Sequence, residues 1–279
     1  MGYIRNILFG NEYKEKSRLS KKDFTRGRKV NFVTLVCMIL NMIKKSTQLE
    51  IDDFMRKFGT DDMRYSTYTK QSFSEARQKL SPEAFKILNY GFVQKYYEDN
   101  DFKKYKGFRL LAVDGSSIEV PNTKELREHY GCAGNSNAKQ KVARAKSSTL
   151  YDLENGIILN SILGRYDDSE RDLAKKNIDQ FEGLNQGGTR YLILFDRGYP
   201  SIDFILYLKA KGISFVMRTA STFFSQVVNT KTHDEVVEIR ITKSHMRTLK
   251  RRGKMIPEGT ILKLRVVKIT LETAILRHS

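Results

Sequence analysis

Two aspartates stand directly after short apolar segments, where a carboxylate can take part in metal chemistry. Asp114 ends the run in "FRLLAVDGSS", and Asp196 ends the run in "RYLILFDRGY". A glycine follows each aspartate within two residues, which is typical of a turn. If the two runs form parallel neighbouring strands, both carboxylates emerge at one edge of the sheet. Their mutual repulsion there favours a bound cation.

The chemistry that such a pair supports depends on the cation that it selects. All-oxygen ligation suits Mg²⁺ or Mn²⁺, which retain water and accept substrate phosphates as further ligands. Two such ions about 3.5–4 Å apart can activate water and stabilise the leaving oxygen of a phosphodiester. The simpler alternative is that both aspartates only close turns, since Asp before Gly is common there. The pattern alone leaves both interpretations open.

The segments around the two aspartates predict an α/β core. Residues 147–153 and 157–163 alternate as a hairpin around a turn at 154–156. Helices are predicted over 169–181 and 200–212, followed by a strand at 213–218. A hairpin followed by a helical crossover to a parallel strand gives a mixed sheet with helices on its faces. This arrangement places Asp114 and Asp196 at the same edge.

The flanking segments differ from the core. Residues 20–100 carry helical periodicity, and Ser81, Pro82 and Glu83 form a strong helix start. The short helix around Lys70 and the one after it fit a helix-turn-helix or an ordinary bundle with exposed lysines. After residue 218, two alternating strands flank a basic, turn-rich stretch at 243–259. The predicted domains are therefore helical (1–105), α/β (106–217, partial) and β-rich (218–279).

The charge of the chain points to a polyanionic partner. The formal net charge is +18, divided as +9 over residues 1–108, +1 over 109–217 and +8 over 218–279. Basic flanks around a neutral centre are expected when a catalytic core sits between segments that bind nucleic-acid phosphates. The apolar run 30–43 is too short and too polar to cross a bilayer. The two cysteines lie far apart, which argues against a disulfide framework or a zinc site.

Several basic or aromatic residues are candidate DNA contacts, although exposed charge, packing or turn roles explain them equally simply. They precede the hairpin, follow Asp196 or lie in the basic stretch, and they are Lys139, Lys141, Arg144, Lys146, Arg197, Tyr199, Arg251 and Arg252.

Three blocks carry a resemblance to a known family. "LLAVDGSSIEVPNTKELREHYG", "SSTLYDLENGIILNSIL" and "LILFDRGYPSIDFILYLKAKGISFVMR" resemble DDE transposases of bacterial insertion sequences, within the insertion-sequence-four family. The resemblance implies an RNase H-like core and a β-rich insertion after it. Asp114 and Asp196 would be the first two metal-binding carboxylates, with Mg²⁺ or Mn²⁺ as cofactor. It also implies hydrolysis at the element end followed by attack of the freed 3′-hydroxyl.

The same resemblance implies the partners and the location. They are double-stranded DNA at element ends and target sites, and further copies of the chain on that DNA. The expected location is the bacterial cytoplasm, at the nucleoid, with no membrane partner.

The chain departs from the family pattern at the third carboxylate. In the family this is a glutamate in a Tyr-x2-Arg-x3-Glu-x6-Lys signature, but the last tyrosine here is Tyr207. Residues 208–279 therefore cannot contain the signature, and we assign no third carboxylate from the sequence. We expect a truncated copy with a weak metal site and impaired catalysis, unless another chain supplies the missing part. The alternatives are a DNA-binding protein that blocks transposition without cutting, and an RNase H-like nuclease.

Overall fold

The chain folds as two compact units, Met1–Phe102 and Lys103–Ser279. The computed structural model describes residues 2–26, 30–42, 45–58, 68–134, 141–184, 190–220, 223–251, 253 and 256–269. Within these ranges, no helix combines the length and the apolar character needed to cross a membrane.

The regular elements described in the first unit are helices, as predicted. Local start signals fix several of them: Asn31 Oδ1 accepts a hydrogen bond from the Thr34 amide at 2.8 Å, and Thr69 forms a capping box with Ser72. Ser81 Oγ accepts from the Glu83 amide at 3.2 Å, so the predicted start at this serine is confirmed to within a residue. The helices are α1 (Gly2–Leu8), α2 (Asn11–Ser17), α3 (Phe32–Asn41), α4 (Thr47–Phe58), α5 (Lys70–Arg77) and α6 (Glu83–Tyr97).

The second unit is built on a mixed six-stranded sheet. Its strands are β1 (Arg109–Glu119), β2 (Cys132–Ala133), β3 (Val142–Asp152), β4 (Ile157–Arg165), β5 (Tyr191–Phe195) and β6 (Ser214–Met217). The order is β3-β1-β5-β6, with β4 and the short β2 both paired to the outer edge of β3. β1 pairs antiparallel with β3 and parallel with β5, and β5 pairs parallel with β6. The predicted hairpin is confirmed as β3 and β4, and the predicted mixed sheet is confirmed.

Helices connect these strands, and a small β-pair follows them. The helices are α7 (Lys124–Tyr130), α8 (Glu170–Leu184), α9 (Ile202–Ala210), α10 (Ser225–Val228) and α11 (Lys243–Arg251). An antiparallel pair of strands, β7 (Asp234–Arg240) and β8 (Ile261–Val267), forms the second sheet. The prediction of a turn-rich stretch at 243–259 is wrong for its first part, because α11 occupies it. The further division of this unit at residue 217 stays a prediction.

Helices α8 and α9 pack against one face of the sheet and bury its apolar side chains. Leu111, Val113, Ile193 and Phe195 are buried on the central strands, and the Phe195 and Phe204 rings meet edge to face with centroids 5.0 Å apart. α8 is tied to the sheet by a polar side chain, since the fully buried Asn177 donates from Nδ2 to the Ser148 carbonyl at 2.8 Å. The position of α8 is therefore fixed by a specific hydrogen bond as well as by apolar packing.

We expect Asn177→Ala to lower the free energy of unfolding of the second unit by about 2 kcal/mol, because it leaves buried polar groups without partners. Asn160 Nδ2, which donates to Asn177 Oδ1 at 2.8 Å, loses its shortest hydrogen bond in the same variant and keeps only the longer contacts with the residue 177 carbonyl and Gln180 Oε1. Urea unfolding followed by circular dichroism measures the change. Lys176→Ala is the matched control, since Lys176 is the neighbouring residue on the same helix and is not buried. Equal midpoints for both variants would contradict the role assigned to Asn177.

Candidate metal and nucleic-acid site

The parallel register of β1 and β5 brings the two predicted aspartates together. Val113 of β1 pairs with Phe195 of β5. Asp114 follows Val113, and Asp196 follows Phe195. Neighbouring strands lie about 4.8 Å apart, so the two residues stand side by side at the edge where the pairing of β1 with β5 ends. Asp196 directly follows β5, as predicted, whereas Asp114 lies within β1, which continues to Glu119 beside β3. Both side chains are exposed. The predicted parallel pairing is thereby confirmed, and the edge presents two carboxylates to solvent.

Among the residues that the structure describes, each carboxylate has one local partner. Asp114 Oδ1 accepts from the Gly115 amide at 2.8 Å. Asp196 Oδ1 lies 3.9 Å from Nη1 of Arg218, whose own amide donates to the Phe195 carbonyl at 3.0 Å. Exposed ion pairs at this distance contribute little, so a divalent cation can displace the guanidinium. Sequence reasoning missed Arg218, although it follows the apolar strand β6 just as Asp196 follows β5.

Tyr199 approaches this edge from inside the protein. Its side chain is only 2% exposed, and its ring packs against Phe195 with centroids 5.4 Å apart. Burial raises the pKa of Tyr199, and the charges of Glu170, Asp114 and Asp196 raise it further. Its buried hydroxyl has no hydrogen-bond partner among the described residues. Of the roles that the sequence left open for Tyr199, the structure favours packing, since the side chain lies in the core with its hydroxyl near the acidic edge.

Glu170, the first residue of α8, is a third carboxylate near the two aspartates. Its Cγ and Cδ lie 3.3 and 3.4 Å from the position that a Cβ on Gly115 would occupy. Its Oε2 lies 3.7 Å from the corresponding position at Gly198. The sequence indicated Glu170 only as a residue in the first turn of a helix, and no motif marks it as part of a site. Within the described ranges, no three His, Cys, Asp or Glu side chains are grouped closely enough to enclose a metal ion.

The remaining candidate contacts fall into three groups. Lys141 and Arg197 are exposed, and Arg197 directly follows Asp196. On β3, Lys146 Nζ donates to the Asp168 carbonyl at 2.8 Å, and Arg144 Nη2 lies 3.8 Å from Glu119 Oε2. Both β3 side chains are thus partly engaged within the protein. Three predicted contacts lie outside what the structure describes, namely Lys139, Arg252 and the side chain of Arg251.

The sequence of this chain matches a known protein family. The sequence profile of the family described as transposase DDE domain matches residues 105–274, which include both aspartates. The chain belongs to this DDE transposase family. The match covers most of the second unit, and the resemblance to DDE transposases inferred from the three sequence blocks is confirmed at the level of the family.

The individual proteins that are similar to this chain match it over part of their length or at low sequence identity. InsZ of Escherichia coli (strain K12), named as a candidate transposase, is 30% identical over 120 residues, which are 43% of this chain and 37% of InsZ. A piggyBac transposase synaptic complex with hairpin DNA has a TM-score of 0.44 at 12% identity, over 84% of this chain and 55% of that chain. A Mos1 mariner paired-end complex with Mn has a TM-score of 0.29 at 9% identity, over 73% and 63%. The chain thus spans little more than a third of InsZ.

Proposed function

We propose that this chain is a transposase that cleaves and transfers DNA strands at the ends of an insertion element in a metal-dependent reaction. The observation that carries the proposal is the parallel pairing that sets Asp114 beside Asp196 at an exposed edge. Membership of the DDE family supports it. The mixed sheet with α8 and α9 on one face is consistent with an RNase H-like core of the insertion-sequence-four type.

The donor set at this edge fits Mg²⁺ or Mn²⁺. It consists of exposed carboxylate oxygens, the ligands that these cations prefer, and it leaves room for water and phosphate oxygens. Asp114 and Asp196 would hold the cation, which when bound stabilises the negative charge that develops on a phosphodiester under attack. Arg197 is exposed beside Asp196 and is placed to bind a phosphate of the same strand.

Double-stranded DNA is the partner that the charge distribution favours. The helical unit contains a groove of about 700 Å³ whose lining has more basic than acidic residues, namely Lys21, Lys22, Arg26 and Lys79 against Asp23 and Glu75. A basic groove of this kind suits a phosphate backbone. We therefore assign DNA binding to the helical segment and treat the β-rich segment beyond residue 217 as an insertion. Assembly of several copies on DNA, and a location at the bacterial nucleoid, belong to the same proposal.

A combined binding and nicking assay tests the proposal. The chain is mixed with labelled DNA that carries the ends flanking its own gene, with Mn²⁺ or with a chelator. Retarded migration together with Mn²⁺-dependent nicks supports a transposase. Retarded migration without nicks favours the non-cutting DNA-binding alternative, and the absence of both contradicts the proposal.

A further inference from the structure

Glu170 is held near the paired aspartates by the packing of its helix. Ala174 and Ile178 of α8 are fully buried, and Asn177 donates to the Ser148 carbonyl of β3. These contacts fix the start of α8 close to β1, where Ser148 is the strand partner of Gly115. The nearness of Glu170 to the residue after Asp114 is therefore set by the fold, independently of the exposed Glu170 side chain itself.

Two glycines leave space for the Glu170 carboxyl group. A side chain at Gly115 would place its Cβ 3.3 Å from Glu170 Cγ, which is tighter than ordinary van der Waals contact. The turn after Asp196 is also close, since a Cβ at Gly198 would lie 3.7 Å from Glu170 Oε2. The carboxyl group thus lies close to both of the segments that follow the aspartates. No hydrogen bond or ion pair holds this carboxylate among the described residues.

The Tyr199 hydroxyl is a second, independent indication of a ligand at this place. It is buried without a hydrogen-bond partner in the part of the chain that the structure describes. Its oxygen lies 3.6 Å from the same Gly115 Cβ position that Glu170 approaches. Buried polar groups are almost always satisfied, so a hydroxyl without a partner calls for a ligand, an ordered water or a side chain that moves towards it.

We propose that Glu170 supplies a third carboxylate to the divalent cation site of Asp114 and Asp196. The inference rests on the cation site of the proposed function. Glu170 turns towards the cation, or towards a water molecule bound to it, and the Tyr199 hydroxyl donates a hydrogen bond to the carboxylate or to that water. This carboxylate comes from α8, the helix between β4 and β5.

Direct measurement of Mn²⁺ binding tests this assignment without relying on activity. Free Mn²⁺ is followed by electron paramagnetic resonance during titration of the full chain. We expect Glu170→Gln to weaken binding by about 10-fold or more, since even indirect partners of a metal site contribute that much. Asp172→Asn is the matched control, because it removes the same charge from the same helical turn. Asp172 is exposed and lies 3.5 Å from Lys175, so its variant should bind within about twofold of wild type.

The Asp114→Asn and Asp196→Asn variants separate failure of this inference from failure of the proposed function. If these two lose Mn²⁺ binding while Glu170→Gln behaves like Asp172→Asn, the role of Glu170 is overturned and the two-aspartate site stands. If neither aspartate variant changes binding, or if wild type binds no Mn²⁺, the cation site itself is overturned. Thermal unfolding of each variant checks that the fold is kept, and the exposed, nearly isosteric Glu170→Gln should unfold like wild type.

Discussion

Asp114→Asn and Asp196→Asn are each expected to reduce Mn²⁺-dependent nicking of element-end DNA by at least about 100-fold. A bound cation contributes several kcal/mol of transition-state stabilisation, and each decrease of about 1.4 kcal/mol in that stabilisation slows the reaction about tenfold. The amide keeps the size of the carboxylate but removes its charge. Because both side chains are exposed, neither substitution disturbs the core.

A double variant that carries both Asp114→Asn and Asp196→Asn tests whether the two carboxylates act on the same cation. Since both carboxylates act on one cation, the second substitution should add little to the first, and the effects should be far from additive. Rates of nick formation on a labelled strand measure this, with Asp172→Asn as a control that keeps wild-type activity. Nicking that persists within about threefold in either single variant would show that the reaction does not use this edge.

DNA affinity is expected to fall steeply with salt. A protein that binds 6–10 phosphates has an affinity about 10³- to 10⁵-fold lower at 200 mM than at 50 mM salt, because counterions are released on binding. The net charge of +18, concentrated in the two flanks, predicts an effect in this range. Fluorescence anisotropy of labelled duplex at several salt concentrations gives the slope. A flat dependence would count against DNA as the partner.

Paired variants locate the DNA-binding surface. Lys21→Gln with Lys22→Gln removes two charges that line the basic groove, so the salt slope should become shallower by about one for each phosphate that is no longer bound. Lys86→Gln with Lys95→Gln removes the same charge from α6, where each lysine is already paired with a glutamate, Glu83 or Glu98. If both pairs of substitutions change the salt slope equally, the groove contributes no more to DNA binding than the surface of α6 does.

The features that depend on local pattern and on chain order could be predicted from the sequence. An apolar run that ends on Asp114 or Asp196 is visible directly, and the hairpin and crossover between the runs imply that their strands are parallel. The structure has this pairing. Glu170 could not be found in the same way, because its distance from Gly115 depends on tertiary packing such as the Asn177–Ser148 hydrogen bond.

Tertiary packing decided one alternative that the sequence left open, at Tyr199, and local helix propensity overturned one expectation, at 243–251. Tyr199 follows Asp196 closely enough to suggest a DNA contact, but the aromatic side chains of Phe195 and Phe204 pack against its ring, which is buried. The stretch 243–259 was predicted to be basic and turn-rich, yet the lysine, arginine, methionine and leucine residues of its first part all favour helix. The spacing of Met246 and Leu249, of which Leu249 is buried, was a sequence signal for α11.

The central claim is that Asp114 and Asp196 share one divalent cation at the edge of the sheet. Anomalous scattering from a crystal of this chain grown with Mn²⁺ tests it most directly. We expect a peak where the pairing of β1 with β5 ends, about 2.1 Å from an oxygen of each aspartate, as for Mg²⁺-type coordination. A fully occupied Mn²⁺ bound elsewhere, with no peak between these two carboxylates, would contradict it.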